Sequence, residues 1–292
     1  MQNGIILLIM AMSLTPGIDA LAKHMSTLHT PFQVSFFRYL AAGVVALSLA
    51  KMTGKPVHIP KSGRVGHIWR TGLLVAAMTL LIMALSMVSL ANAVGGFLIA
   101  PIVSTVLCVI FLGEAFTVPR AIGVVASALG AILISRPEAG LETGTLLALA
   151  GGVLLGMYLA ATRCAKDTGG TLSTLVVQCF LAALLLSPLA FMNGLPKFDS
   201  SLLIYVSGLG VMSASAHFLT VAAFERADAA VLSPFMYFNL IAAIIVGYIF
   251  FGETPGQWEM IGLMAIAFGG LVAAVPWAQV LGGNNLQLRR AS

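Results

Sequence analysis

Apolar residues run along this chain in ten long stretches without period-2 alternation, each ended by a short polar or glycine-containing break. A bilayer's hydrocarbon core is about 30 Å thick, and about 20 apolar residues in an α-helix cross it. The pattern predicts ten membrane-spanning helices at 4–22, 32–50, 68–88, 91–112, 118–135, 144–162, 173–193, 201–222, 228–251 and 257–276. Barrel strands would alternate apolar and polar positions, so a helical bundle is favoured. The first stretch lacks a basic leader and a small-residue cleavage site, and Asp19 interrupts its end. It is expected to be a retained helix rather than a signal peptide.

The pattern is written twice. FLGEAFTVPRAIGVVASALGAILIS from Phe111 matches FFGETPGQWEMIGLMAIAFGGLVAA from Phe250, so Gly113-Glu114 recurs as Gly252-Glu253 after 139 residues. Gly123 and Gly262, Gly130 and Gly269, Gly17 and Gly156, and Ala84 and Ala223 share that offset. Each copy holds five spans, and an odd number turns the second copy the other way up. The predicted fold is an all-α membrane protein of ten transmembrane helices arranged as two inverted five-helix repeats. The first repeat is residues 1–139, the second 140–278, and a cytoplasmic tail covers 279–292. Such duplications characterise carriers whose substrate site lies between rocking halves, although duplication can also build a larger scaffold.

Composition agrees: 59% hydrophobic and 9% charged residues cannot cover a soluble globule. With both termini in the cytoplasm, that side carries Lys51, Lys55, Lys61, Arg64, Arg70, Arg120, Arg163, Lys166, Arg226, Arg289 and Arg290. The other side keeps Lys23, Arg136 and Lys197. This positive-inside bias accounts for the net charge of +5 and calls for no nucleic-acid partner. Cys108, Cys164 and Cys179 fit small core residues, with spacing for neither a disulfide framework nor a zinc site. No cofactor or metal is expected. A GxxxxGK[ST] phosphate loop is missing, which disfavours ATP-driven pumping by this chain alone. The chain is not expected to be an enzyme, because its five histidines (His24, His29, His58, His67, His217) are scattered. A passive channel would favour repeated polar rings, which these spans do not supply.

The ten-span duplication, the Gly-Glu pair closing spans four and nine, and the run ADAAVLSPFMY from Ala227 to Tyr237 resemble the EamA-type family of the drug/metabolite transporter superfamily. The likeness covers nearly the whole chain. Asp19-Ala-Leu-Ala-Lys23, Phe37-Arg38 and His217 before Ala223-Phe224 are similar to a bacterial subgroup that includes carriers for riboflavin, S-adenosylmethionine and amino-acid-like metabolites. The resemblance implies a bacterial inner-membrane carrier with a cavity lined mainly by spans one, three, four, six, eight and nine. It specifies fold better than substrate.

Charges at membrane depth usually face a partner or a watery cavity. Asp19 and Lys23 lie four apart on one helical face and can pair, while Arg38 enters span two from the same side. The three would carry a net charge of +1. A substrate carboxylate could complete the cluster through two parallel hydrogen bonds to the guanidinium; a self-contained interhelical ion pair is the alternative. Asp19 and His217 are the proton-coupling candidates, and a neutral packed histidine is the other reading of His217. Glu114 and Glu253 each precede a helix and are expected to cap spans five and ten. Glu225, Arg226 and Asp228 are read as a solvated or interfacial gate contact in the turn between spans eight and nine.

Phe97, Tyr158, Tyr237 and Asn239 complete the substrate-binding candidates, the last three because a buried hydroxyl or amide needs a partner. Pro101 with Gly95-Gly96 should break span four, and Pro234 span nine, freeing backbone groups where ligands often bind. The expectation is a secondary transporter of a small amphipathic or zwitterionic metabolite, first of all amino-acid-type export, with uptake of a cofactor-like molecule such as riboflavin or S-adenosylmethionine as the alternative. Its partners would be that small molecule, the lipid bilayer and, as a candidate, protons. The chain would be a monomer or weak homo-oligomer, with Gly152 and Gly156 offering a small-residue face.

Overall fold

A computed structural model describes residues 2–54, 56–58, 64–113, 118–135, 142–164, 171–192, 194–196, 200–224, 226 and 233–274. All regular structure among these is helical: α1 (Gln2–Met25), α2 (Pro31–Met52), α3 (Arg64–Leu85), α4 (Leu90–Phe97), α5 (Ala100–Leu112), α6 (Val118–Ser135), α7 (Thr143–Cys164), α8 (Thr171–Phe191), α9 (Ser200–Phe224), α10 (Phe238–Phe251) and α11 (Gln257–Ala274). A 3-10 turn, Ser233–Tyr237, leads into α10. Seven apolar segments of 20–24 residues are long enough to cross a membrane. Three shorter ones, Ala121–Ile134, Phe235–Phe251 and Gln257–Val272, stand where the fifth, ninth and tenth spans were expected. Large apolar side chains such as Phe111, Phe250, Leu203 and Trp258 are exposed, as lipid contact requires.

Helix starts and stops follow local chemistry. At α2, Thr30 Oγ1 accepts from the Gln33 amide (3.3 Å) and Gln33 Oε1 accepts from the Thr30 amide (3.2 Å), with Pro31 pre-set for the first turn. Thr30→Ala should therefore destabilise the protein by about 1 kcal/mol, read as a lower melting temperature in detergent. α5 and α10 end on Gly113 (φ 67°) and Gly252 (φ 65°), left-handed conformations that glycine adopts without strain.

The expected break in span four falls after Phe97, and α5 restarts with Pro101 in its first turn. The break in span nine falls between Tyr237 and Phe238. Leu98 and Tyr237 are 139 residues apart, so the two interruptions coincide in register although Pro101 and Pro234 do not.

The helices pack chiefly as α1 with α9, α2 with α8, α3 with α7 and α6 with α11. In the last pair the backbones touch. A Cβ on Gly130 would lie 2.6 Å from the Gly262 carbonyl oxygen, and one on Gly269 would lie 2.6 Å from that of Gly123. The small-residue face of α7 is also used inside the chain: Gly152 sits against the Gly96 and Phe97 carbonyls, and Gly156 against Ala100 and Val103. It is therefore covered by α4 and α5 rather than left free for a second copy.

Candidate functional site

A cavity of about 280 Å³ opens among α1, α2, α3, α8 and α9. Its size is near the lower end of ordinary ligand pockets, about 300–1,000 Å³. Ile18, Ala42, Leu74, Met78 and Leu175 make most of its wall apolar, and Arg38 is the one formal charge among its described lining residues. Polar groups come from Thr15, Tyr39, Cys179, Ser213, His217 and Thr220. The Thr15 and Thr220 hydroxyls donate to carbonyls one turn back, Ala11 (3.0 Å) and Ala216 (2.8 Å), so their lone pairs are left for a ligand. Tyr39 donates to the Leu74 carbonyl at 3.4 Å. Ser213 Oγ is buried with no partner, a vacancy that a ligand group can fill.

Arg38 is held by Asp19, whose residue is only 3% exposed: Nη1 donates to Oδ1 at 3.2 Å. This is a single contact, so most of the guanidinium's five donors remain for other acceptors. The expected Asp19–Lys23 pair does not form. Lys23 instead bonds Glu253 Oε1 at 2.6 Å, donates to the Val88 carbonyl and lies over the Phe251 ring, 5.3 Å from its centroid. The physical reason is competition: Arg38 reaches Asp19 from α2, leaving Lys23 free to neutralise a carboxylate from the end of α10. Glu253 also removes the expected net charge of +1, because the four groups form two neutral pairs.

Glu253 does not cap the tenth span as expected. Its Oε2 accepts from the Leu90 amide at 2.7 Å, capping α4 from 163 residues away, while the start of α11 is served by Glu259, which accepts from the Gly256 amide at 2.8 Å. The reason is again Lys23, which draws the carboxylate across toward the α3–α4 turn. Glu114, Glu225, Asp228 and the 279–292 tail lie outside the described residues.

The cavity brings together Arg38 and His217, with Asp19 behind Arg38. The other candidates do not line it. Phe97 packs in the core beside Gly151, and Tyr158 shares hydrogen bonds with Gln178 (Tyr158 Oη to Oε1 3.3 Å, Nε2 to Tyr158 Oη 3.2 Å). Tyr237 packs against Gly270, and its hydroxyl and Asn239 Oδ1 are buried without partners. Spans one, three and eight contribute as the resemblance implies, but spans two and seven take the places of four, six and nine in this cavity. Tyr39, Cys179 and Thr220 were missed. Tyr39 follows Arg38 directly, and Thr220 lies three residues beyond His217, one turn further on the same face, which was the available signal.

An all-helical, multi-pass membrane protein with a small charge-anchored cavity between its helices is the architecture of a small-molecule carrier. The EamA-like transporter family matches residues 2–136 and again 142–275, and this chain belongs to that family. Among its relatives, an S-adenosylmethionine uptake transporter of Rickettsia conorii is 24% identical over 251 residues, covering 85% of this chain and 84% of that one. One with the same name from Rickettsia prowazekii is 23% identical over 266 residues, covering 90% of each. A solved structure titled only "Crystal structure of protein" superposes with a TM-score of 0.67 at 18% identity, covering 96% of this chain and 99% of that one, and shares the fold. Family and relatives point to a transporter rather than an enzyme.

Proposed function

We propose that this protein is a secondary carrier for a metabolite bearing an amino-acid carboxylate, with S-adenosylmethionine the first substrate to test. The observation that carries this reading is Arg38, a cation with spare donors in an otherwise largely apolar cavity. The names of the relatives support the choice of S-adenosylmethionine, and the cavity's small volume suits a substrate of amino-acid size, which keeps amino-acid-type export as the second reading. Ser213 and His217, one turn apart on α9, would take the polar groups of the substrate beyond its carboxylate.

In this reading residues 1–139 and 140–278 form two inverted five-helix repeats in a bacterial inner membrane, termini inward. The packing supports it: α1 with α9 and α7 with α3 exchange under the 139-residue offset, and so do the glycine contacts Gly123–Gly269 and Gly262–Gly130. His217 is the proton-coupling group, because Asp19 is committed to Arg38.

The test is counterflow of radiolabelled S-adenosylmethionine into proteoliposomes preloaded with S-adenosylmethionine or with mixed amino acids. Saturable exchange, competed by carboxylate-bearing analogues, is expected. A shared inability of both pools to drive exchange would sink the carrier reading, and product formation without vesicles would favour an enzyme. An imposed pH gradient should accelerate flux in wild type and not in His217→Gln; equal acceleration would remove His217 from coupling.

A further inference from the structure

Thr15, Asp19 and Lys23 are stacked at four-residue spacing on one face of α1, spanning about 12 Å of helix axis. Thr15 lines the cavity, Asp19 holds Arg38 at its edge, and Lys23 closes the bundle end beyond it by tying α1 to Glu253. Through the Val88 carbonyl and the Leu90 amide the same tie fastens the α3–α4 turn. Four elements therefore meet at one latch.

We propose that Asp19 is an exchange residue that couples occupancy of the cavity to release of this latch, an inference that adds to the carboxylate-carrier reading. A substrate carboxylate arriving at Arg38 takes over the guanidinium and displaces the singly bonded Asp19. Asp19 then pairs with Lys23, four residues further on the same face, as acid-before-base spacing favours. Lys23 lets go of Glu253, which moves into water at the bundle end and also releases the Leu90 amide. At each stage every charge left inside the membrane has a partner: Arg38 with substrate, Asp19 with Lys23. A substrate lacking a carboxylate cannot start the exchange, so the latch selects for the charge that the cavity binds.

The core of this idea is testable without ligand. Spin labels on Thr27→Cys and Thr254→Cys, both exposed near the latch, would report its width by pulsed electron paramagnetic resonance of the full chain in nanodiscs, with the native cysteines replaced by alanine. Arg38→Met frees Asp19 to take Lys23 and should raise the long-distance population about tenfold. Adding Asp19→Asn should return it to the parent distribution. Glu253→Gln should open the latch by itself, and it serves if Arg38→Met is not monodisperse. An unchanged distribution in Glu253→Gln, or one that stays long in the Arg38→Met/Asp19→Asn double variant, overturns the proposal. Adding S-adenosylmethionine to the parent should lengthen the distance, and 5′-methylthioadenosine, which lacks the amino-acid group, should not. Correct ligand-free variants with no response to S-adenosylmethionine would uphold the exchange and remove the substrate reading instead.

Discussion

Replacing Arg38 with methionine is expected to abolish transport of carboxylate-bearing substrates, lowering kcat/KM by about a hundredfold or more, equivalent to about 2.7 kcal/mol of lost interaction. The guanidinium is the only formal charge among the described residues of the cavity wall, and none of those neighbours can supply two parallel bonds to a carboxylate. Removing one partner of a buried pair commonly costs about 3–5 kcal/mol of stability. Here the loss should be smaller, since Lys23 lies within one turn of the stranded Asp19. The double variant Arg38→Met/Asp19→Asn separates the two effects: its melting temperature should recover, and its transport should not. Recovered transport in the double variant would show that Arg38 serves only to neutralise Asp19. Initial rates in proteoliposomes, beside thermal unfolding of the same preparations, decide it.

The second large effect is expected at the crossing of α6 and α11. Gly130→Val places methyl groups where the Gly262 carbonyl oxygen and the Ile266 amide already stand, at 2.6 and 2.9 Å from an added Cβ. Backbone atoms on a packed helix cannot rotate aside as a side chain can, so the helices must separate. Overpacking typically costs about 1–3 kcal/mol, and a backbone clash belongs at or above the top of that range. Loss of monodisperse protein in detergent, or a melting temperature many degrees lower, is the expected result. Gly72→Ala is the control: nothing lies within 4 Å of an added Cβ there, and its melting temperature should stay near that of wild type.

Much of the fold was legible because membrane burial acts on runs of residues. Seven spans followed from apolar length alone, and the breaks in spans four and nine from Gly95-Gly96, Pro101 and Pro234. That the breaks coincide in register was not legible, since different residues produce them at Leu98 and Tyr237. The site was legible as a set of charges but not as a set of pairs. Spacing along α1 favoured Asp19 with Lys23, whereas the partners Arg38 and Glu253 come from other helices, and no local pattern announces them. Tyr39, Cys179 and Thr220 are ordinary residues for a packed helix, and only their position against α1 and α3 makes them cavity wall.

The repeat, finally, is balanced in shape and lopsided in charge. Displaced by 139 residues, Asp19, Lys23 and Arg38 fall on Tyr158, Thr162 and Val177. Where one copy joins its first two helices by an ion pair, the other uses the neutral Tyr158–Gln178 hydrogen bond. A perfectly duplicated machine would rest equally well open to either side. This one has an electrostatic clasp at one end. Of the four clasp residues only Glu253 has a charged counterpart, Glu114, so in the alternating-access reading proposed above the two resting states would differ in free energy before any gradient acts. On that reading, the side on which the empty carrier waits for cargo would be written into the second copy by what was left out of it.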